Sequence, residues 1–256
     1  MEKQIVVFDF DGVVCDSTDE CMVTSWNAWE RWNHRSGYRT AVNEFTPDER
    51  ADFRRLRPFV RGAGEYYVLR KCLNEQCLVQ GYADYEHHRQ KSGEYFEAFK
   101  QIFYHERERL RDDDLNAWIK LHPVWPEVIG VMKKLNERGR VYIATLKDGE
   151  SVKLILESEG LTLHADHLLD QSQISSKLDA LEKIMGLEKC GKQEIIFLDD
   201  NATHLIEPVL EGYTCYMTTW GDTPDDYHHL AARNNIPGLT LDMLKATLDC
   251  AAQGLS

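Results

Sequence analysis

The chain has 256 residues, 43% of them apolar, and a formal net charge of −13. This length and apolar content suffice for a large core in one or two domains, and they exclude a disordered chain. The negative charge argues against nucleic acid as a main partner, because binding to a phosphate backbone needs clustered Lys and Arg.

Hydrophobic segments and cysteines indicate the cellular compartment. No run of about 18 apolar residues occurs, so we expect no membrane partner. The apolar run after Gln4 is too short for a secretory signal. The seven cysteines are odd in number and include no Cys-x-x-Cys pair, which argues against a zinc site or a disulfide framework. We therefore expect a cytoplasmic protein.

The first predicted element is a strand over Ile5–Phe8, an apolar run typical of strands buried on both faces. Asp9 and Asp11 follow this strand, and Gly12 breaks it. Open α/β sheets bind ligands just beyond the C-terminal ends of their strands. A pair of carboxylates at that point can hold a hard cation, and one of them can attack an electrophile.

Helical periodicity marks the next hundred residues. Met22, Trp26 and Trp29 recur at helical spacing, and no alternating strand pattern appears over residues 18–120. Breaks between helices are expected near Gly37, Pro47, Gly62–Gly64 and Gly81. The segment therefore predicts an all-helical domain.

From Leu121 onwards the predicted strands and helices alternate, which implies a parallel sheet with right-handed crossovers. Strands are expected over residues 140–144, 167–169, 194–198 and 213–217. Helices are expected over residues 127–138, 151–159, 176–185 and 202–211, with Gly186 ending the third and two more helical segments after residue 217.

The first strand can join this sheet only if the helical block is an insertion. The predicted fold class is therefore α/β, a doubly wound parallel sheet with a Rossmann-like core and an inserted all-helical cap domain. The core comprises residues 1–17 and 121–256, and the cap comprises residues 18–120.

Two further positions carry side chains suited to binding phosphate. Thr145 ends the strand over 140–144, where its hydroxyl and the next backbone N–H groups can bind a phosphoryl oxygen. Lys177 falls in the first turn of a helix whose start Ser176 and Asp179 mark as a capping box. A cation there opposes the helix macrodipole, so Lys177 is best explained by an anion that it must reach.

Adjacent carboxylates end another predicted strand. Asp199 and Asp200 follow the apolar run 195–198, and they repel each other unless a cation offsets their charge. One alternative is that either aspartate serves as the N-cap of the helix that follows. The cation suited to such carboxylates is a hard one with oxygen ligands.

Four segments of the chain together resemble the motifs of the haloacid dehalogenase-like phosphatases. The sequence Asp9-Phe10-Asp11-Gly12-Val13-Val14-Cys15-Asp16-Ser17 resembles the first motif, and Thr145, Lys177 and the pair Asp199-Asp200 match the second, third and fourth. The chain is identified as a member of the branch whose helical cap follows the first motif, as in β-phosphoglucomutase-like and phosphoglycolate phosphatase-like proteins. It departs from the family pattern at Leu146, where Asn is frequent, and at Leu178, where Pro is frequent.

The resemblance implies Mg²⁺-dependent hydrolysis of a small phosphate monoester. Asp9 would attack phosphorus and form an aspartyl-phosphate, and Asp11 would act as general acid and then general base. Thr145 and Lys177 would bind the phosphoryl oxygens. A family dehalogenase typically lacks the acid that Asp11 supplies.

The resemblance also implies the metal ligands. Asp9, Asp200 and the backbone carbonyl of Asp11 would hold Mg²⁺, and Asp199 would bind it less directly, from a second shell or through water.

Substrate contacts are expected at Leu146, which has no side-chain hydrogen bond to offer, and at Arg61 in the cap. Arg61 could meet a second anionic group of the substrate, or it could be a solvated loop residue. The expected partner is a small phosphorylated metabolite, and the expected state is a monomer or homodimer. A phosphomutase, a phosphonate hydrolase and a catalytically idle binding protein remain open as alternatives.

Overall fold

The computed structural model describes residues 4–253, with side chains described through residue 248. The chain divides into two compact units. The first consists of the segments Met1–Asp16 and Val124–Ser256, and the second is Ser17–Pro123.

The first unit is built on a parallel sheet, whose strands in the described residues run in the order β3-β2-β1-β4-β5-β6. The strands are β1 (Ile5–Phe8), β2 (Val141–Ala144), β3 (Leu168–Leu169), β4 (Ile195–Asp199), β5 (Thr214–Thr218) and β6 (Gly238–Leu239). The predicted fold class is confirmed. Strand β6 was not predicted, because one of its two residues is Gly238 and Pro237 precedes it, and both residue types are rare in strands.

The second unit, described in full, is helical and contains no strand. Its helices are α1 (Thr18–Trp32), α2 (Pro47–Leu56), α3 (Tyr66–Asn74), α4 (Tyr82–Gln90), α5 (Phe96–Asp113) and α6 (Leu115–Lys120). Aromatic rings fill its core, for example Tyr66 stacked on Phe103 with their centroids 4.8 Å apart. Glu20 and Arg107, both buried, join α1 to α5 through two hydrogen bonds of 2.8 Å, so neither charge is left unpaired in the core.

Helices cover the sheet of the first unit. They are α7 (Pro126–Asn136), α8 (Gly149–Ser158), α9 (Lys177–Glu188), α10 (Ala202–Leu210), α11 (Asp225–Arg233) and α12 (Leu241–Gln253). The prediction that Gly186 ends α9 was wrong. The helix continues through it to Glu188, because a glycine within a helix costs only about 1 kcal/mol, and Lys189 closes the helix in the left-handed conformation with φ of 53°. None of the described helices is both long and apolar enough to cross a membrane.

The sheet order places the site. Strands β1 and β4 are central neighbours, with Phe8 opposite Leu198, and every residue of both strands is buried. The backbone N–H of Asp9 donates to the carbonyl of Leu198 at 2.8 Å. Strands β2 and β3 lie on one side of β1, and β4, β5 and β6 lie on the other, so the strand order reverses between β1 and β4. Open α/β folds bind ligands in the crevice beyond the C-terminal ends of the strands at such a point.

Candidate active site

A buried ammonium group joins the ends of β1 and β4. The Nζ atom of Lys177 lies 2.6 Å from Asp9 Oδ1 and 3.2 Å from Asp199 Oδ2. It also donates to the carbonyl oxygen of Ala144, at the end of β2, at 2.8 Å. Lys177, Asp9 and Asp199 are all buried. Three strand ends therefore meet at one cation, which explains why a lysine occupies the unfavourable first turn of α9.

The start of α9 differs in one detail from the predicted capping box. Ser176 is the N-cap, and its Oγ accepts a hydrogen bond from the N–H of Asp179 at 3.1 Å. The Asp179 carboxylate, however, accepts from the N–H of Ser175 at 2.8 Å rather than from that of Ser176. The bond from the Asp179 carboxylate back to the chain is thus displaced by one residue. The cap still fixes the start of α9, and with it the position of Lys177.

The shared cation stabilises the two carboxylates unequally. Burial is the main influence on Asp9 and, with repulsion from Asp199, it outweighs the attraction of Lys177 and raises the pKa of Asp9 to about 6. Burial also opposes ionisation of Asp199, but Lys177, His204 and the N–H of Asn201 together lower its pKa to about 2. Burial opposes the charge of Lys177 as well, yet the two carboxylates raise its pKa above the usual value.

His204 is a site residue that sequence reasoning missed. Its Nδ1 atom lies 3.2 Å from Asp199 Oδ2, and the N–H of Asn201 donates to Asp199 Oδ1 at 2.8 Å. The N-cap of α10 is Asn201, so neither Asp199 nor Asp200 caps this helix. Because His204 lies in the first turn of α10, a histidine five residues after a strand-ending aspartate is the signal that could have located it.

Asp200 packs against the backbone of the first motif. Gly12 has φ of +82°, and a Cβ atom at this position would lie 2.1 Å from Asp200 Oδ2. Only a residue without a side chain leaves room for this carboxylate. Asp9, Asp199 and His204 also offer ligand atoms that lie within 4.8 Å of one another. Most of these ligand atoms are carboxylate oxygens, and Gly12 leaves room for the carboxylate of Asp200. Such a set fits a hard divalent cation.

Asp11 has a cationic partner that the sequence did not reveal. The Nζ atom of Lys147, whose side chain is fully buried, lies 3.3 Å from Asp11 Oδ1. The thiol of the buried Cys15 lies 3.9 Å from the same oxygen. The signal in the sequence is the segment Thr145-Leu146-Lys147, whose third residue has no predicted role above. Lys147 restricts where the Asp11 carboxylate can lie.

Thr145 and Leu146 lie in the turn after β2. Thr145 is buried, its N–H donates to the carbonyl of Leu169 at 3.0 Å, and its Oγ1 accepts from the N–H of Lys147 at 3.1 Å. Leu146 is half-buried and has only its backbone for polar contacts. Thr145 is thus in the same turn as Lys147, whose side chain contacts Asp11.

The loop after β5 supports the first motif through contacts that sequence reasoning also missed. The indole Nε1 of Trp220 donates to the carbonyl of Val13 at 3.0 Å. A Cβ atom on Gly221 would lie 3.0 Å from the carbonyl oxygen of Gly12. The loop thus packs closely against the backbone of Gly12 and Val13, directly after Asp9 and Asp11.

Arg61 lies in a loop of the helical unit, where its side chain is half-buried and ion-paired rather than freely solvated. Its guanidinium contacts Glu86 at 3.1 Å and Glu65 at 3.5 Å. Arg89 shares both carboxylates, at 2.7 Å from Glu86 and 3.4 Å from Glu65. Arg61 is therefore one of two arginines that balance two acids.

Comparison with known proteins agrees with this geometry. A model of the haloacid dehalogenase-like hydrolase family matches residues 3–206. The chain belongs to this family. No curated protein sequence matches the hydrolase.

Solved structures resemble the hydrolase over nearly its whole length. A predicted phosphatase from Clostridium acetobutylicum is 15% identical with a TM-score of 0.62, over 97% of this chain and 100% of the other. A predicted phosphoglycolate phosphatase from Haemophilus somnus is 17% identical with a TM-score of 0.61, over 96% and 99% of the two chains. At such identities the likeness concerns the fold alone.

The contact between Gly12 and Asp200 can be tested by adding one methyl group. If Asp200 binds a divalent cation, Gly12→Ala should lower the affinity of the hydrolase for such a cation, titrated as Mg²⁺, at least about tenfold, because the new Cβ displaces Asp200. Gly212→Ala is the matched control, since Gly212 has φ of +90° with no atom within 4 Å of the added Cβ. Both variants should lose about 1–2 kcal/mol of stability through the left-handed conformation. Equal Mg²⁺ affinity in the two variants, measured by calorimetry, would remove Asp200 from the metal site.

The charge on Asp9 can be tested through stability. A folded pKa of about 6, against 3.8 in the unfolded chain, means that ionised Asp9 destabilises the metal-free fold by about 3 kcal/mol. This penalty is nearly absent at pH 4 and complete above pH 6, because the folded hydrolase holds the proton more tightly. In EDTA, Asp9→Asn should therefore raise the free energy of unfolding at pH 7.5 but hardly at pH 4.

Urea titrations at both pH values make this measurement. The exposed Asp112→Asn is the control and should show no such pH-dependent gain. A loss of stability in Asp9→Asn at pH 7.5 would mean that the bond to Lys177 outweighs the burial of the charge.

Proposed function

We propose that this hydrolase is a Mg²⁺-dependent phosphatase that cleaves a small phosphate monoester through an aspartyl-phosphate. The observation that carries the proposal is the position of Lys177, a buried ammonium 2.6 Å from Asp9 Oδ1. A carboxylate beside a buried cation at the ligand-binding edge of the sheet is suited to attack an anionic phosphoryl group. The phosphatase names of two structurally similar proteins agree with this reaction.

In the first step a carboxylate oxygen of Asp9 attacks phosphorus. The new bond joins Asp9 to the phosphoryl group, and the bond from phosphorus to the ester oxygen breaks. Asp11 donates its proton to that leaving oxygen, so an alcohol departs. Lys147, 3.3 Å from Asp11 Oδ1, holds the acid in position.

In the second step a water molecule attacks the phosphorus of the aspartyl-phosphate. Asp11 now takes a proton from the water, the bond between phosphorus and Asp9 breaks, and inorganic phosphate leaves. The acid and base steps balance, so Asp9 and Asp11 return to their starting states.

Charge accumulates on the equatorial phosphoryl oxygens during both transfers. Lys177 and the hydroxyl of Thr145 bind these oxygens, together with the backbone at Leu146. Since Lys177 begins hydrogen-bonded to Asp9 and Asp199, its ammonium requires no large movement to meet the substrate.

Mg²⁺ would be held by Asp9, Asp200 and the backbone carbonyl of Asp11, with Asp199 supporting it less directly. When bound, it offsets the negative charges of the nucleophile and the phosphoryl oxygens. Asp199 itself keeps Lys177 charged and is held by His204 and the N–H of Asn201.

Substitutions at the two aspartates separate the two steps. With p-nitrophenyl phosphate, Asp9→Asn should lose turnover, because an amide does not attack phosphorus. Asp11→Asn should still be phosphorylated, since p-nitrophenolate leaves without an acid, but it should release phosphate slowly for want of a base. Stopped-flow absorbance should show a burst of one p-nitrophenolate per Asp11→Asn molecule followed by a slow phase.

Two results would contradict the proposal. One is substantial steady turnover by Asp9→Asn. The other is a slow reaction of Asp11→Asn with no burst at any substrate concentration, which would place the role of Asp11 in the first step alone or outside the reaction.

Arg61 is proposed to contact a second anionic group of the substrate. Such a group must compete with Glu65 and Glu86 for the guanidinium. Among phosphorylated metabolites, Arg61→Ala should lower kcat/KM for those with a second anion by about 1.5–3 kcal/mol, the range for a charge-assisted hydrogen bond. Turnover of p-nitrophenyl phosphate should change little.

Arg89→Ala is the matched control, because Arg89 pairs with the same two carboxylates. If both variants lose the same activity on the same substrates, the effect comes from the ion-pair cluster and Arg61 has no contact of its own.

A further inference from the structure

A second group of metal-ligating side chains lies in the helical unit. The two sulfurs of Cys72 and Cys77 and one imidazole nitrogen of His88 all lie within 4.8 Å of one another. Cys72 is buried, whereas Cys77 and His88 are half-buried, so an ion from solution can reach the group. We propose that these three residues form a Zn²⁺ site, with water as the fourth ligand.

The backbone brings the two cysteines together. Helix α3 ends at Asn74, and Gln76 then adopts the left-handed conformation with φ of 52°. The N–H of Cys77 donates to the carbonyl of Cys72 at 2.9 Å. This six-residue closure is a Schellman motif, in which the two bonded residues commonly touch. The resulting Cys-x₄-Cys spacing falls within the range of zinc ligand pairs.

His88 is the observation that the turn alone does not explain. A Schellman motif accounts for contact between two small side chains, and buried cysteines often act as such. His88 belongs to α4, beyond the connecting segment 75–81, and its ring nitrogen nevertheless lies with the two sulfurs. Three ligand atoms from a helix, the turn after it and the next helix define a site, whereas two sulfurs in one turn do not.

The chemistry of the donors selects the metal. Thiolates and imidazole favour Zn²⁺ over Mg²⁺, which takes oxygen ligands. Two thiolates and a neutral imidazole give a complex without net charge, which suits a partly buried site. Without metal, burial and the neighbouring Cys77 raise the pKa of Cys72 to about 12, so the thiol is protonated and Zn²⁺ must displace that proton.

This site is separate in chemistry from the candidate active site. The ligand atoms near Lys177 come from Asp9, Asp199 and His204, none of them a thiolate. Cobalt bound to sulfur gives an intense thiolate-to-metal absorption that cobalt bound to oxygen and nitrogen lacks. The two sites can therefore be distinguished in one sample of the full chain.

The test titrates Co²⁺, as the probe for Zn²⁺, into the reduced chain at pH 7.5 with millimolar Mg²⁺ present. The wild type should show the thiolate absorption saturating at one Co²⁺ per chain, and one equivalent of Zn²⁺ should abolish it. Cys72→Ser, Cys77→Ser and His88→Gln should each weaken Zn²⁺ binding at least about 100-fold, more than the loss of a residue that only supports a ligand.

Two control variants match the ligand substitutions. His87→Gln removes the exposed histidine next to His88, and Cys190→Ser removes a half-buried cysteine of the other unit. Both should bind Zn²⁺ like the wild type. Circular dichroism of every variant in EDTA checks folding, and the half-buried positions Cys77 and His88 keep the test decisive if Cys72→Ser unfolds. Absence of the thiolate absorption in the wild type, or its persistence in Cys77→Ser, would overturn the proposal.

Discussion

The two ion pairs that Lys177 makes, with Asp9 and with Asp199, are the interaction on which the rest of the site depends. The parallel pairing of β1 and β4 forces two carboxylates to the same buried edge, where they would repel each other strongly. One ammonium, 2.6 Å from the first and 3.2 Å from the second, makes that arrangement tolerable. Removing Lys177 would leave two buried carboxylates without their shared cation, whereas removing Asp9 leaves the pair of Lys177 and Asp199.

The same interaction explains how the site is poised. Asp199 receives further support from His204 and the N–H of Asn201, so it keeps its charge and its hold on Lys177. Asp9 has fewer contacts that favour its charge, so burial raises its pKa to about 6 and its carboxylate is the more basic of the two. Asp9 and Asp199 thus share one cation, and in the proposed reaction Asp9, whose ionisation has less support, is the carboxylate that attacks phosphorus.

Much of this arrangement could be predicted, because parallel strands end at a common edge. The sequence pattern placed Asp9, Thr145 and Asp199 after strands and Lys177 at a helix start, and the structure brings Asp9, Asp199 and Lys177 into contact. Their catalytic roles stay predictions. Lys147, by contrast, reaches Asp11 from within a turn, and its direction depends on side-chain packing that has no periodicity.

Other contacts escaped prediction for similar reasons. His204 meets Asp199 because α10 begins at Ala202, with Asn201 as its N-cap, and its first turn carries His204 next to the end of β4; the predicted start was right, but the direction of this side chain has no signal in the periodicity. In the helical unit, Cys72 and Cys77 are spaced as Cys-x₄-Cys rather than Cys-x-x-Cys, and the left-handed turn at Gln76 is what brings them together. Such turns are hard to predict when the residue is not glycine, since glutamine seldom adopts them.

In the proposed reaction Asp9 carries the phosphoryl group. The most direct measurement is to quench Asp11→Asn with acid during turnover of p-nitrophenyl phosphate, reduce it with borohydride, and map the peptides by mass spectrometry. Borohydride converts an aspartyl-phosphate to homoserine, so the account predicts homoserine at position 9 in place of Asp9. Unchanged Asp9 with homoserine at another aspartate, or with none anywhere in a sample that has released its burst of p-nitrophenolate, would contradict it.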